Sequence, residues 1–297
     1  MKLIDELIDE KLGINSYGMR IYIIISLFFL ADGSEMIIES LLIMKLGDLW
    51  DLSHTQKGFL GSAVFLGFFI GAIISGKLSD TYGRRPVFIA GSIVTAVFSL
   101  VSAFSPNYYF LVVMRSFFGM GVGLSIPSCS ALAIEITPTK YRAWVLNLIW
   151  VFFPFGEIFA VLIASAVINK VHGWRYLLGI VSIPAAISCI MSFFVNESPR
   201  FYLVTKQFDR AFINLDRILQ YSKDRILLNE EMKNRIIAEE VQESDEIQLK
   251  SNFSELCSKD YARLTVQTCL LFFICSYCYY GLTFILPQLI TQNNNYI

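Results

Sequence analysis

The chain has 297 residues, of which 55% are hydrophobic and only 16% are charged. A soluble domain carries about 25% charged residues, and a chain of this length cannot enclose so much apolar surface in its own interior. The formal net charge of −1 excludes the strongly basic surface that is typical of nucleic-acid-binding proteins. Six cysteines in so long a chain do not form a disulfide framework. The composition therefore predicts an integral membrane protein with lipid around much of its surface.

Membrane-spanning helices are visible as long apolar stretches, because a bilayer core about 30 Å thick requires about 20 mostly apolar residues per helix. Seven stretches meet this requirement, at 21–44, 58–76, 87–104, 108–134, 144–168, 176–195 and 264–290. They divide the chain into an amphipathic N-terminal segment (1–20), a six-helix unit (21–195), a polar segment (196–263), and a seventh helix with the end of the chain (264–297). The polar segment has helical periodicity at 208–228 and at 230–243.

The distribution of basic residues predicts the orientation in the membrane, because Lys and Arg concentrate in cytoplasmic segments. Among the short segments, those on the side of the N-terminus contain eight basic residues and those on the opposite side contain four. We therefore expect a cytoplasmic N-terminus and a cytoplasmic polar segment. The glycosylation sequons at Asn196 and Asn252 would then stay unmodified.

The segment GKLSDTYGRRP, Gly76 to Pro86, joins the second and third spans. Gly76 and Gly83 permit a tight turn between two helices that emerge on the same side. Asp80 can form charge-assisted hydrogen bonds with Arg84 and Arg85 at the membrane edge. From the residues alone, this segment is equally compatible with an ordinary charged turn.

The same segment resembles the signature loop of the major facilitator superfamily, G-x-L-a-D-r-x-G-R-R. Further motifs occur in the order that this superfamily requires. They are Arg115-x-x-x-Gly119-x-Gly121-x-Gly123, Glu135-x-x-Pro138-x-x-x-Arg142, Gly173-Trp174-Arg175 and Asn196-Glu197-Ser198-Pro199-Arg200. The last of these has Asn where sugar and organic-ion carriers have the first Pro of P-E-S-P-R. Motifs in the first span (Ala31 to Met36) and the seventh span (Ser276 to Gly281) most resemble carriers related to synaptic vesicle glycoprotein 2.

The resemblance implies an all-α membrane protein of two six-helix halves, each built from inverted three-helix repeats, around a midplane site. The sequence accounts for the N-terminal half, a cytoplasmic helical loop and a seventh helix, and lacks helices eight to twelve. It implies secondary transport of a small organic solute, such as a sugar or an organic ion, by alternating access coupled to a proton or another ion. It also implies a cytoplasmic conformational switch formed by Gly76, Asp80, Gly83, Arg84, Arg85, Glu135, Arg142, Glu197 and Arg200.

Five ionisable residues lie inside the predicted spans, namely Asp32, Glu35, Glu39, Arg115 and Glu157. Charges that face lipid are unfavourable by about 2.5–3.5 kcal/mol on insertion scales, so these side chains should face the helix bundle or a water-filled cavity. A rise of 1.5 Å per residue places four of them, all except Glu39, at a depth of about 16–21 Å. The sequence therefore predicts an ion-paired cluster near the middle of the membrane.

Asp32 and Arg115 match the Asp of the first helix and the Arg of the fourth helix that pair in proton-coupled sugar carriers of this superfamily. The resemblance thus implies that they form the coupling site for substrate and proton. Glu35 and Glu157 are further candidates, and Glu35 could attract a cationic substrate. The alternative is a static buried pair that only orients the first and fourth helices.

Glycine pairs and one tryptophan add packing predictions. Gly67 with Gly71 and Gly119 with Gly123 are each four residues apart, which predicts close approach of the second and fourth helices to their neighbours. Trp150 lies about two turns into the fifth span, where it faces either a solute cavity or lipid.

Other function classes have little support in the sequence. No phosphate-binding loop and no G-x-S-x-G motif is present, and His54 and His172 lack metal-ligand spacing. We therefore expect no enzyme activity, no metal and no cofactor.

A seven-helix receptor would require an external N-terminus, which the basic residues oppose. A non-transporting half-carrier remains open, either as a binding or regulatory subunit in a homo- or hetero-oligomer or as an incomplete gene product. Both the plasma membrane and a vesicle membrane are compatible with the sequence.

Overall fold

The computed structural model describes residues 16–220, 230–247, 258 and 261–294, and within these ranges the secondary structure is helical without strands. The helices are α1 Ser16–Leu49, α2 His54–Tyr82, α3 Arg84–Ser102, α4 Tyr108–Ile136, α5 Arg142–Trp150, α6 Phe152–Val167, α7 Gly173–Ser192, α8 Pro199–Val204, α9 Phe208–Gln220, α10 Glu230–Ile247 and α11 Ala262–Asn294. Seven segments of the described chain are long and apolar enough to cross a membrane, with Thr139–Val167 as the fifth and Ala262–Ile285 as the seventh. The predicted number of spans is confirmed.

Several helix ends differ from the sequence prediction. The first span begins at Ser16, so the last five residues of the predicted N-terminal segment belong to α1, and residues 1–15 lie outside the described residues. The expected turn at Gly76 is wrong, because α2 continues through this residue to Tyr82. Gly83 makes the turn, with a φ of 103° that favours glycine.

The fifth span is divided into α5 and α6 at Val151. Pro154 has no backbone N–H, so the carbonyl of Trp150 cannot accept the usual helical hydrogen bond from it. This proline explains a break near the middle of the span.

The glycine pairs bring α2 and α4 into backbone contact. A Cβ atom at Gly67 or Gly71 would overlap the backbone of α4, and one at Gly119 or Gly123 would overlap the backbone of α2. The predicted close approach is confirmed, and the two pairs pack against one another.

The six spans also show the internal symmetry of two inverted three-helix repeats. The helix α4 packs on α2 and α3, and the helix α1 packs on α6 and α7. Exchanging the first three spans with the last three therefore maps one set of contacts onto the other. Gly33 and Gly156 provide close approach between α1 and α6, as the glycine pairs do between α2 and α4.

The chain forms two compact units, Met1–Ile237 and Ala238–Ile297. The first unit contains the six spans together with α8 and α9, whose apolar side chains join one hydrophobic core with the beginning of α1. The periodicity predicted at 208–228 corresponds to α9, and residues 221–229 lie outside the described residues. The stretch predicted at 230–243 lies within α10. The second unit contains the seventh apolar helix, α11.

Candidate functional site

A buried ion pair joins α1 and α4. Nη1 of Arg115 lies 2.6 Å from Oε2 of Glu35, and its Nε lies 3.5 Å from Oε2 of Glu39. The hydroxyl of Ser99 on α3 donates a hydrogen bond to the other oxygen of Glu35. The guanidinium also lies 5.5 Å from the ring centroid of Phe118. Arg115 is therefore held by three contacts in a region that solvent does not reach.

The ion pair expected between Asp32 and Arg115 is formed by Glu35 instead. Three residues along a helix raise a side chain by about 4.5 Å, and this rise brings Glu35 to the height of Arg115. The helical rise counted along the sequence places Asp32 at a depth of about 16 Å, Glu35 at about 21 Å and Arg115 at about 20 Å, so it favours Glu35 as the partner. The resemblance to sugar carriers favoured the wrong partner.

Asp32 is buried without such a partner. Its side chain is 2% exposed, and Oδ1 accepts no hydrogen bond from the described residues. Glu35 and Glu157 are both close enough to act electrostatically on it. Glu157 is brought near by the close packing of α1 and α6, where the hydroxyl of Ser34 donates to the carbonyl of Gly156 at 3.1 Å.

The cluster contains more acidic than basic groups. Four carboxyl groups lie here, on Asp32, Glu35, Glu39 and Glu157, and Arg115 contacts two of them, Glu35 and Glu39. Neither oxygen of Glu39 accepts a hydrogen bond from the described residues, although its charge is 3.5 Å from Arg115. Buried carboxylates without full pairing are unfavourable and bind a proton or another cation readily. The arrangement can thus hold and release a positive charge.

Aromatic rings lie within one helical turn of Asp32 and Glu157 along the chain. The ring centroids of Phe29 and Trp150 are 4.4 Å apart, and those of Trp150 and Phe153 are 6.3 Å apart. Phe29 precedes Asp32 by one helical turn on α1, and Phe153 precedes Glu157 by one turn on α6. Trp150 keeps 42% of its surface accessible, while Phe29 is fully buried. Trp150 therefore packs its ring at a tilt against Phe29 of α1, and part of its surface stays open.

Sequence reasoning missed Ser99 and Phe29. Ser99 belongs to a series of buried hydroxyl residues on α3, spaced three or four apart, namely Ser92, Thr95, Ser99 and Ser102. This spacing is visible in the sequence and marks one polar face of an otherwise apolar helix. Phe29 carries no comparable signal among the many phenylalanines of the chain.

A second polar site lies at the N-terminal face of the six-helix unit, which we define as the side where α1 and α3 begin and α2 and α4 end. The carboxylate of Glu197 accepts hydrogen bonds from the backbone N–H groups of Arg84 and Arg85, both at 3.1 Å, and from Ser198 at 3.0 Å. It therefore caps the first turn of α3, where the helix dipole favours a negative charge. Burial raises the pKa of Glu197, while these N–H groups and the charge of Arg84 act in the opposite direction.

Arg84 connects this cap to α4. Its Nε lies 3.0 Å from Oε1 of Glu135, and its guanidinium lies 5.6 Å from the ring centroid of Phe201. Asp80 is 4.0 Å from Arg84 and its side chain is 80% exposed, so its contribution is small. Arg85 donates to the carbonyl of Phe193 at 3.1 Å.

The other predicted switch residues lie around this network. Nε of Arg142 donates to the carbonyl of Thr137 at 3.2 Å, just after α4. The backbone N–H of Arg200 donates to the hydroxyl of Ser198 at 3.2 Å, at the start of α8. Gly76 is not part of the network, since a Cβ atom there would contact nothing within 4 Å. In the described part of the chain, no group of three or more His, Cys, Asp or Glu residues could hold a metal ion.

The chain matches a known protein family over nearly its whole length. The family model for "Sugar (and other) transporter" matches residues 15–296. The synaptic vesicle 2-related protein of Xenopus laevis is 29% identical over 280 residues, which are 94% of this chain and 49% of that protein. The organic cation/carnitine transporter 7 of Arabidopsis thaliana is 32% identical over 222 residues, which are 74% of this chain and 44% of that protein. The chain thus spans about half the length of the curated relatives it matches.

Solved structures show the same fold. The proton:xylose symporter XylE bound to 6-bromo-6-deoxy-D-glucose has a TM-score of 0.66 at 19% identity, covering 78% of this chain and 54% of that one. The inward open conformation of the xylose transporter XylE from E. coli has a TM-score of 0.61 at 20% identity, covering 80% and 57% of the two chains. The likeness shows the major facilitator fold over about four fifths of the chain.

Proposed function

The chain belongs to the sugar (and other) transporter family, and from this membership we propose that it serves the secondary transport of a small organic solute by alternating access. The solute is a sugar or an organic ion, and its movement is coupled to a proton or another ion. We further propose that the N-terminus is cytoplasmic, in the plasma membrane or a vesicle membrane.

The observation that best supports coupling of solute movement to an ion is the buried carboxyl group of Asp32. This group lies unpaired beside the Glu35–Arg115 pair. A carboxyl group of this kind changes its charge when it gains or loses a proton or a cation. The neighbouring ion pair keeps the charge of Glu35 compensated, so Asp32 can respond by itself. In this proposal, Glu35 and Arg115 orient α1 and α4, while Asp32 and Glu157 meet the solute or the ion.

The network of Glu197, Arg84 and Glu135 supports a conformational switch at the N-terminal face. It links the beginning of α3 to the end of α4 and to the segment before α8 through contacts of 3.0–3.1 Å. Such charge-assisted contacts are strong but directional, so a small rotation of the helices breaks them together. We propose that they form in one state of the transport cycle and open in the other.

The test is uptake into proteoliposomes that contain the purified chain. Radiolabelled xylose and choline are natural first probes, because the matched relatives include a xylose symporter and an organic cation transporter. We expect the Asp32→Asn variant to lose the response of uptake to an imposed proton gradient. Asp48→Asn, an exposed aspartate on the same helix, is the matched control and should keep the response. Unchanged coupling in Asp32→Asn would overturn the role of Asp32, and binding without uptake would favour a membrane binding or regulatory protein.

A further inference from the structure

Acidic and aromatic side chains of this region are contributed by the same two membrane spans, the first and the fifth. Phe29 and Asp32 lie on α1, and Trp150, Phe153 and Glu157 lie on α5 and α6. Close packing at Gly33 and Gly156 holds these segments together, and the ring contact of Phe29 with Trp150, with centroids 4.4 Å apart, links them directly. We define Phe29, Asp32, Trp150, Phe153 and Glu157 as the α1–α6 cluster.

The charges of this region discriminate between classes of solute. Arg115 is already engaged by Glu35 and Glu39, at 2.6 and 3.5 Å, so its charge does not compensate Asp32 as well. An organic anion would add a negative charge to this surplus, and a neutral sugar would leave it uncompensated. An organic cation would compensate it, and an uncompensated buried charge is strongly unfavourable.

The aromatic rings favour the same class. A quaternary or protonated amine is attracted to the face of a Trp or Phe ring, and such groups are often bound between aromatic side chains and a carboxylate. Trp150 has an open surface and Glu157 is partly exposed, whereas Asp32 is buried. The cluster therefore extends from the surface of its unit to an unpaired acceptor in the interior.

We propose that the α1–α6 cluster binds an organic cation, with its ammonium group against Asp32 and its alkyl groups against Phe29, Trp150 and Phe153. This inference rests on the proposed transport function and specifies its substrate class. One carboxylate does not hold a proton and an ammonium group at once, so the two compete for Asp32.

The inference is tested by binding to the purified chain in lipid nanodiscs. The probe is radiolabelled choline, compared with dimethylbutanol, its uncharged carbon isostere of the same shape. We expect choline to bind at least about tenfold more tightly than the isostere, because the charge supplies the contact with Asp32. This comparison needs no substitution and is therefore independent of any folding defect.

Variants locate the site. Asp32→Asn should weaken choline binding by about tenfold or more while Asp48→Asn leaves it unchanged. Trp150→Leu should weaken it about three- to tenfold, through the lost cation–π contact. Trp144→Leu is the control for this variant, since Trp144 is an exposed tryptophan of α5 outside the cluster. Melting curves in the same nanodiscs establish that each variant is folded.

The outcomes separate this inference from the proposed function. Equal binding of choline and its isostere, or unchanged choline binding in folded Asp32→Asn, would overturn the cation site. Uptake of xylose or benzoate that depends on Asp32, without choline binding, would overturn the substrate class and leave transport intact. Choline binding that depends on Asp32, without uptake into proteoliposomes, would leave the cation site intact and overturn transport.

Discussion

The guanidinium of Arg115 lies 2.6 Å from the carboxylate of Glu35, and neither side chain is reached by solvent. Removing the charge of Glu35 leaves Arg115 with only the more distant carboxylate of Glu39, at 3.5 Å, in a region of low dielectric constant, at a cost of up to about 3–5 kcal/mol. We expect Glu35→Gln to lower the free energy of unfolding by this amount. Asp32→Asn should leave stability unchanged or raise it, because it removes a buried carboxylate that lacks a partner. Denaturation of the purified variants in detergent measures both effects.

Exchanging the two charges tests whether Glu35 is the partner of Arg115. Arg115→Glu should be strongly destabilising by itself, and Glu35→Arg in the same chain should restore part of the stability. Asp32→Arg combined with Arg115→Glu should give no such rescue. Rescue through position 32 and not through position 35 would show that Asp32 is the true partner.

Gly67 and Gly76 are predicted to respond oppositely to the same substitution. A Cβ atom at Gly67 would overlap the backbone of α4 at Ser116, whereas a Cβ atom at Gly76 would lie in open space. Gly67→Ala should destabilise the protein by about 1–3 kcal/mol, because two packed helices must separate. Gly76→Ala should stabilise it by about 0.5–1 kcal/mol, because alanine in a helix loses less conformational freedom on folding than glycine. Melting temperatures of the two variants under identical conditions check the sign of each effect.

The Gly76→Ala variant also tests the expectation, taken from the loop motif, that Gly76 makes a turn. If the loop motif required a glycine there for a turn, Gly76→Ala would destabilise the protein as Gly83→Ala should. At Gly83 the φ of 103° is strained for alanine, and the added Cβ would overlap the carboxylate of Glu197.

Much of the fold is predictable from the sequence because lipid imposes a simple rule. Each span must be apolar over its whole length, so the seven stretches are visible without knowledge of their contacts. Helix ends are harder to predict, because α2 and α3 extend beyond the apolar stretches into polar residues of the signature loop. Pro154 lies next to the break at Val151, but prolines alone do not predict it, because Pro127 and Pro184 lie inside the unbroken helices α4 and α7.

The candidate site is only partly predictable for a related reason. The cost of buried charge identified Asp32, Glu35, Arg115 and Glu157 as a group, but it does not choose among carboxylates that differ by one turn. That choice depends on the relative heights of α1 and α4, which their packing determines. Ser99 on α3 then completes the coordination of Glu35 from a helix without ionisable side chains in its apolar part.

Glu197 provides a pH-dependent prediction outside the membrane spans. Its carboxylate accepts three backbone hydrogen bonds at the N-terminal face, and burial raises its pKa. A carboxyl group with a raised pKa binds its proton more tightly in the folded state than in the unfolded state. Its stabilising contribution is therefore fully present below the unfolded pKa and is lost as pH rises through the folded value.

We accordingly expect the stability of the unmodified chain, relative to Glu197→Gln, to increase as pH falls from neutral toward the ordinary pKa of a glutamate. Melting temperatures of both proteins across this range, in the same detergent and at constant ionic strength, give the difference directly. Asp80→Asn is the matched control for removing a carboxylate from the same face, because the side chain of Asp80 is 80% exposed and not buried. A difference that stays constant with pH, or decreases on acidification, would show that the backbone hydrogen bonds to Glu197 outweigh its burial. The cap on α3 would then be strongest at neutral pH, and acidification would weaken the switch network that depends on it.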